Sequence, residues 1–214
     1  MIRFICVLAF LLFSSAPVLA EECGPSCPVC SGNSGSGVVL ERNTLLVSGL
    51  LIPTGEEERG VINARYGILE WLDAGVGWTV VSRKPVWSLR ARAIEERKDG
   101  WVPALVVGTG SVQMGGNDQS VYLQASKGFE LHPDLGLRVS AGASMLIPEV
   151  NRVYGLAGAT ATVFERFSLF VSYDGQNFHE GASVAPVEWL AISAMLVESK
   201  DLAAAVSLKW ALGK

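Results

Sequence analysis

Apolar and polar residues alternate along most of this chain. In the stretch from Leu135 to Met145, every odd position is apolar and every even position is glycine, serine or arginine. Successive side chains of a β-strand point to opposite faces, whereas a helix would mix these two sets. The pattern therefore predicts a strand with one apolar face and one small or polar face.

The same alternation recurs at 72–80, 87–93 and 202–210. Extended along the chain, it predicts about twelve strands, with ten as the alternative count. Their lengths are close to the roughly 9–11 residues with which a tilted strand crosses a bilayer. We expect them near residues 45–52, 61–69, 71–82, 86–95, 102–112, 119–128, 135–146, 152–163, 167–174, 178–185, 187–197 and 201–210.

Three connections between these strands share one design. At 69–73, 164–168 and 187–191, an apolar residue, a glutamate, a tryptophan or arginine and a second apolar residue lead into a new strand. With twelve strands, all three connections lie at the end that carries both termini, which we take as the periplasmic end. Such consistency is typical of a closed up-and-down barrel with aromatic or arginine side chains at the membrane boundary. Longer polar links are expected at 95–100 and 130–134.

Hydropathy also favours a membrane barrel. The mean hydropathy is +0.34, yet no run of about eighteen apolar residues follows Ala20. Only helices and closed barrels satisfy all backbone polar groups in lipid. A soluble β-sandwich or lipocalin-like barrel is the alternative, but its outer face would need more lysine and glutamate than the alternate positions supply. We therefore predict an all-β fold, a closed antiparallel up-and-down transmembrane β-barrel.

The N-terminus has the pattern of a secretory signal peptide. Arg3 gives a positive start, residues 4–13 form a short apolar core, and we expect cleavage after Ala20. An uncleaved anchor helix is the alternative. Residues 21–37, rich in Cys, Pro, Gly and Ser, are predicted to be a flexible periplasmic lead, and residues 38–214 the barrel domain. These features predict export to the bacterial outer membrane.

Cys23, Cys27 and Cys30 lie close together in this lead. The Cys-x-x-Cys spacing suits a metal or redox centre, but structural zinc needs four ligands, and only His132 on the same predicted side could supply the fourth. Ser31 stands where a c-type haem site needs histidine. We favour a disulfide with one spare thiol in an oxidising compartment, and we expect no cofactor.

Four arginines fall on the inward face of the predicted strands: Arg65, Arg90, Arg92 and Arg138. Rings of cationic side chains set anion preference in pores, so these arginines could line a cationic lumen. The alternative, which we favour, is that they pair with carboxylates such as Asp73 and Asp174, because a charge inside a small barrel usually finds a partner.

No residue set is typical of a catalyst. His132 and His179 are far apart in sequence, and neither has the Ser, Cys or carboxylate pattern of a triad. Segments such as Asp174-Gly175 are typical of hairpin turns. We therefore predict that the protein is not an enzyme. An outer-membrane acyl-transfer enzyme or protease is the disfavoured alternative.

Several stretches resemble the YjbH-type family of outer-membrane proteins associated with exopolysaccharide production. They are NARYGI at 63–68, GVGW at 75–78, WVPA at 101–104 with Val107-Gly108, VYLQASK at 121–127 and SYDG at 172–175 with Asn177 and Gly181. The resemblance is spread over residues 45–210, although this chain is much shorter than typical members and the cysteine-rich lead is not a family feature. It implies an outer-membrane barrel with a role in polysaccharide secretion or envelope organisation, and it supplies no catalytic residues.

Two functional hypotheses follow. The first is a non-enzymatic barrel in envelope transport or assembly, including exopolysaccharide secretion. The second is a structural or scaffolding barrel with a plugged lumen, whose cysteine-rich segment binds a partner or a metal. The expected partners are the lipid bilayer, the barrel-assembly machinery and either polysaccharide or a periplasmic protein. No basic run indicates a nucleic-acid partner, and the net charge is −4.

Overall fold

The computed structural model describes residues 38–55, 59–97, 100–112, 118–148 and 151–213. These residues form twelve antiparallel strands, each paired with its neighbours in sequence, and β1 pairs with β12 to close a barrel. The strands are β1 (Thr44–Leu51), β2 (Gly60–Leu69), β3 (Leu72–Thr79), β4 (Pro85–Ile94), β5 (Ala104–Gly110), β6 (Gln119–His132), β7 (Leu135–Ile147), β8 (Val153–Val163), β9 (Phe167–Tyr173), β10 (Phe178–Val187), β11 (Leu190–Val197) and β12 (Asp201–Ala211).

The closed barrel and the count of twelve confirm the fold predicted from the alternation. The described part of the chain holds no helix with the length and apolar character needed to cross a membrane. Some predicted bounds were wrong. β5 begins two residues later than predicted, at Ala104, because Pro103 has no N–H to donate to a strand ladder. β3 ends at Thr79, whose hydroxyl accepts a hydrogen bond from the Lys84 backbone N–H and closes the turn.

The predicted polar link at 130–134 was also wrong. β6 continues to His132 and β7 begins at Leu135, so only Pro133 and Asp134 separate them. A shift of register between Glu130 and His132 lets the two strands stay paired to the turn. This hairpin therefore extends beyond β5, whose pairing with β6 stops at Ser126.

The three glutamate-containing turns all lie at one end of the barrel, as predicted from their spacing. β1 begins and β12 ends at this same end, and we call it the terminal end. The connections β1–β2, β3–β4, β5–β6, β7–β8, β9–β10 and β11–β12 lie at the other, or opposite, end. The prediction that the three glutamate-containing turns share one end of the barrel is confirmed.

The outer wall is apolar over its whole circumference. Val76, Leu169 and Leu202 on the outward face are 69%, 66% and 65% exposed, respectively. A soluble barrel would bury these side chains, so the lipocalin-like alternative was wrong, and the surface is typical of a wall that faces lipid. Exposed aromatic side chains lie near both ends: Trp71, Trp101, Phe164, Phe167, Trp189 and Trp210 at the terminal end, and Trp78, Trp87 and Phe178 at the opposite end.

The inward face carries small, polar and a few apolar side chains. Beside β9–β12, an apolar cluster fills the lumen near the opposite end, with Ile52, Met195, Val197 and Ala203 at its centre. Ser183 and Ser193, on adjacent strands, are hydrogen-bonded through their hydroxyls. The inward face of β2–β6 is more polar and carries the residues described next.

Candidate functional site in the barrel lumen

Residues 38–40 lie inside the lumen rather than in the wall, and we call them the strap. Val38, Val39 and Leu40 are 6%, 3% and 2% exposed, although no strand includes them. Val39 belongs to an apolar cluster with inward residues of β5, β6 and β8: Val106, Tyr122 and Leu156, together with Val112. The strap therefore crosses the lumen from the side of β1–β3 towards the facing wall.

A buried ion pair on β2 and β3 holds the strap in place. Arg65 Nη2 lies 2.6 Å from Asp73 Oδ2, and Arg65 Nε donates to Asp73 Oδ1 at 3.2 Å. The Leu40 N–H donates to Asp73 Oδ2 at 2.8 Å, and Arg65 Nη2 donates to the Val38 carbonyl at 3.2 Å. Both charged side chains are almost fully buried, so the pair and the strap backbone satisfy one another in a medium where an unpaired charge would be costly.

Two inward glycines make room for this arrangement. A Cβ on Gly67 would overlap the carbonyl oxygen of Glu41, where the chain passes from the strap towards β1. A Cβ on Gly75 would lie 2.5 Å from Arg65 Cγ. Both positions therefore need glycine because another part of the lumen occupies the space of a side chain.

Arg90 lies beside the ion pair and is not part of it. Its Cα is paired with that of Asp73 across β3 and β4, but both Asp73 oxygens already accept hydrogen bonds from Arg65. Arg90 is 5% exposed, and its Nε and Nη1 have no hydrogen-bond partner among the described residues. The guanidinium borders a cavity of about 80 Å³ whose inward-facing lining includes Asn63, Arg65, Ser88 and Tyr122.

Arg138 pairs outside the centre of the lumen. Its Nη1 donates to Glu96 Oε2 at 3.1 Å, and Lys127 Nζ lies 3.3 Å from Glu96 Oε1. Glu96 Oε1 also accepts the Gly128 N–H at 2.8 Å, an amide of β6 beyond the last pair with β5. Glu96 therefore holds the β4–β5 connection against the free edge of the long β6–β7 hairpin.

Arg92 lies at the rim of the terminal end. Its Nη2 donates to the Glu70 carbonyl at 2.7 Å and lies 3.8 Å from the exposed carboxylate of Glu95. The four inward arginines of the sequence prediction therefore do not form one ring. Arg65 and Arg90 lie at neighbouring positions in the lumen, whereas Arg92 and Arg138 bind connections at the terminal end.

Asp174 pairs with no arginine among the described residues, contrary to our expectation. Its Oδ2 lies 2.9 Å from His179 Nε2, and its Oδ1 accepts the backbone N–H groups of Gln176 and Asn177. Burial raises the pKa of Asp174, but the hydrogen bond from His179 and those from the two backbone amides together hold it below the ordinary aspartate value. The Glu198 N–H donates to His179 Nδ1 at 3.1 Å. Both ring nitrogens are thus engaged, which leaves none to act as a general base.

The proposed cysteine site cannot be placed, since Cys23, Cys27 and Cys30 lie outside the described residues. His132 lies beside the β6–β7 turn at the terminal end, with Nδ1 3.8 Å from Asp134 Oδ2. Within the described ranges, no three His, Cys, Asp or Glu side chains are grouped as metal ligands would be.

Sequence reasoning missed the strap and the Glu96 contacts. We placed residues 38–40 at the start of the barrel domain without giving them a role. Their signal is a short apolar run, Val-Val-Leu, that does not alternate and is followed by Glu41 and Arg42. Glu96 lies in a run of charged residues that we took for a solvated link, and no local pattern distinguishes it from its exposed neighbour Glu95.

The Glu96 contacts predict a pH-dependent local stability. Burial on its own raises the pKa of Glu96, but the Gly128 hydrogen bond and the charge of Arg138 outweigh it, so the pKa lies below the ordinary glutamate value of 4.5. A carboxylate with a lowered folded-state pKa stabilises fully above its unfolded pKa and ceases to do so as pH falls through the folded value. We expect the hydrogen-exchange protection factors of the amides at 95–97 and 100–102, which are corrected for the intrinsic effect of pH on exchange, to fall progressively below about pH 4.5.

In E96Q, exchange in this segment should already be faster at pH 7, by an amount corresponding to about 1 kcal/mol, and should respond less to acid. E95Q is the matched control, because Glu95 is 79% exposed and should leave the profile unchanged. Equal pH profiles for E96Q and the wild type would contradict the assignment.

No protein-family model and no curated protein matches this chain. Among solved structures it is similar to the KdgM porin, with a TM-score of 0.52 and 10% identity over 79% of this chain and 99% of that chain. The low-pH structure of Pseudomonas putida OprB also matches, with a TM-score of 0.33 and 14% identity over 78% of this chain and 62% of that chain. The similarity to the KdgM porin supports the barrel fold alone.

Proposed function

We propose that the protein is a non-enzymatic barrel of the Gram-negative outer membrane, in which the strap closes the lumen and small polar solutes pass when the strap leaves. The observation that carries this proposal is the position of residues 38–40, which cross the lumen and are hydrogen-bonded to Arg65 and Asp73. In this proposal, one short segment closes the lumen when it is bound and opens a route through it when it leaves.

The outer surface supports the membrane location. An apolar wall with aromatic side chains near both ends matches the lipid-facing band and the two interfaces of an outer-membrane barrel. In this setting, the partners are the lipid bilayer and the barrel-assembly machinery that inserts such proteins. The terminal end faces the periplasm, as the predicted export of an N-terminal lead requires.

The contacts of the strap decide which cargo we propose. The YjbH-type resemblance would add polysaccharide to the solutes, as secreted cargo or as an envelope partner. The strap, however, joins the ion pair on β2 and β3 to the apolar cluster on β5, β6 and β8. Because these contacts favour the closed state, openings of the lumen are expected to be brief. A small solute can cross during a brief opening, whereas a polymer needs the strap to stay away while the whole chain is threaded, so small polar solutes are the cargo we propose.

A variant that weakens the strap tests this function. In V39A/L40A, the apolar contacts of the strap are reduced, and Leu→Ala alone in a packed site costs about 2–5 kcal/mol. Because 1.4 kcal/mol is tenfold in an equilibrium, we expect the open probability in planar bilayers to rise at least about tenfold over the wild type. Gel electrophoresis of unboiled and boiled samples comes first. A lower mobility after boiling shows that the wild type and the variant were folded beforehand.

V107A is the matched control, since Val107 faces outward next to the buried Val106 and is 43% exposed. It should conduct like the wild type. A strap variant that remains ion-tight would refute the channel. The same result would favour the second candidate, a permanently closed scaffolding barrel. The polar and apolar contacts of the strap support this candidate.

A further inference from the structure

We infer that Arg90 and Tyr122 bind one small monovalent anion in the lumen, such as chloride or formate. The site lies between the Arg65–Asp73 pair and the opposite end of the barrel. It does not require the strap to move, and therefore stands whether or not the barrel conducts.

The first support is the local charge. Arg65 and Arg90 carry two positive charges, and Asp73 between them supplies one negative charge, which is bound by Arg65 and the Leu40 amide. One positive charge is left over at Arg90, which has no carboxylate within ion-pair distance among the described residues. Arginine cannot lose its proton at any ordinary pH, and burying an uncompensated ion costs several kcal/mol. A bound anion would remove that cost.

The second support is a set of three unused donors on two side chains. Arg90 Nε and Nη1 and the Tyr122 hydroxyl are buried and have no hydrogen-bond partner among the described residues. The two side chains come from different strands, so a local distortion of one strand does not explain why both lack partners. Buried polar groups without partners are rare in native proteins, and a bound ion or an ordered water molecule is one explanation for them.

The two groups are close because of a glycine. Gly108 on β5 is the Cα partner of both Arg90 on β4 and Tyr122 on β6. The Tyr122 ring lies across Gly108, where a Cβ would be 2.5 Å from the hydroxyl oxygen. The hydroxyl thus lies beside the strand position of Arg90, on the inward face, where both groups can donate to a single acceptor.

The space next to these donors limits the size of the ligand. The cavity of about 80 Å³ is bordered by Arg90, Tyr122, Asn63 and Ser88. A water molecule needs roughly 10–15 Å³ in the same measure, so a single small anion and a few waters fit. A sugar acid or a nucleotide is too large to be held entirely within this cavity.

The test is anion-dependent stability of the full chain, refolded in detergent and unfolded in urea. Chloride is the probe, and it is exchanged for gluconate, which is too large for the cavity, at constant ionic strength. We expect the unfolding midpoint of the wild type to rise with chloride. R90M should lose this dependence, with an apparent affinity at least tenfold weaker, and should be no less stable than the wild type in gluconate because its uncompensated charge is gone.

R92M is the matched control, since Arg92 lies on the same strand and face but at the rim, and it should keep the chloride dependence. Y122F removes one hydroxyl only, so it should fold and bind chloride more weakly, and it provides the readout if R90M does not fold. General effects of salt would appear equally in all variants. If the wild type and R90M or Y122F respond to chloride alike, or if the wild type does not respond, the cavity holds water only and the inference is wrong.

Discussion

Replacing Asp73 by alanine is expected to lower the free energy of unfolding by about 3–5 kcal/mol, the range measured when one partner of a buried ion pair is removed. Asp73 is fully buried and accepts hydrogen bonds from Arg65 and from the Leu40 amide. Its loss leaves two guanidinium groups, those of Arg65 and Arg90, in one part of the lumen without a carboxylate. Urea titration of the refolded protein, followed by tryptophan fluorescence, measures the change.

Two variants separate charge from packing in this result. E95A removes an exposed carboxylate and should change stability by less than about 0.5 kcal/mol. R65M/D73A removes both charges of the pair and should be more stable than D73A, because a buried pair can often be replaced by apolar groups at little cost. A loss below about 1 kcal/mol in D73A would show that the pair does not hold the strap and the wall together.

Replacing Gly67 by alanine is expected to displace the strap. The added Cβ would overlap the Glu41 carbonyl oxygen and lie 3.1 Å from that of Leu40. Both are backbone atoms, which cannot rotate away as a side chain can. Overpacking of this kind costs typically about 1–3 kcal/mol. Since the strain falls on the segment that leads into the strap, the same substitution should raise the open probability of the channel.

Gly136 supplies the matched control. It lies on the inward face of β7, and a Cβ there would meet no atom within 4 Å. G136A should therefore be neutral or slightly stabilising, because alanine restricts the unfolded chain more than glycine does. Conductance traces of G67A that match those of G136A and the wild type would show that the approach of the chain to Gly67 does not position the strap.

The position of each arginine could be predicted, but its partner could not. The alternation assigns Arg65, Arg90, Arg92 and Arg138 to the inward register because side-chain direction in a strand depends only on the parity of the position. Arg65 forms an ion pair with Asp73, one of the carboxylates expected as partners. Asp174 instead binds His179, and Arg138 binds Glu96, 42 residues earlier in the chain. Those partners depend on which connections fold back onto the rim, and no local pattern encodes that.

The strap shows the same limit for a whole segment. From the sequence, residues 38–40 are indistinguishable from the start of the first strand, since an apolar run of three residues suits either a strand or a packed loop. Its contacts with Val106, Tyr122 and Leu156 join residues that are separated by more than sixty positions. Such contacts arise only when β1 meets β12 and the wall encloses a volume.

By itself, the sequence determined the antiparallel barrel, its twelve strands, the end at which the glutamate turns lie and the apolar outer wall. These features follow from period-two alternation and turn chemistry, which act between residues close in the chain. Only the tertiary structure decided what fills the lumen: the strap, the Arg65–Asp73 pair and the unpaired Arg90 beside its cavity. Inward side chains from distant strands compete there for the same few partners and the same space, and closure of the sheet determines which of them meet.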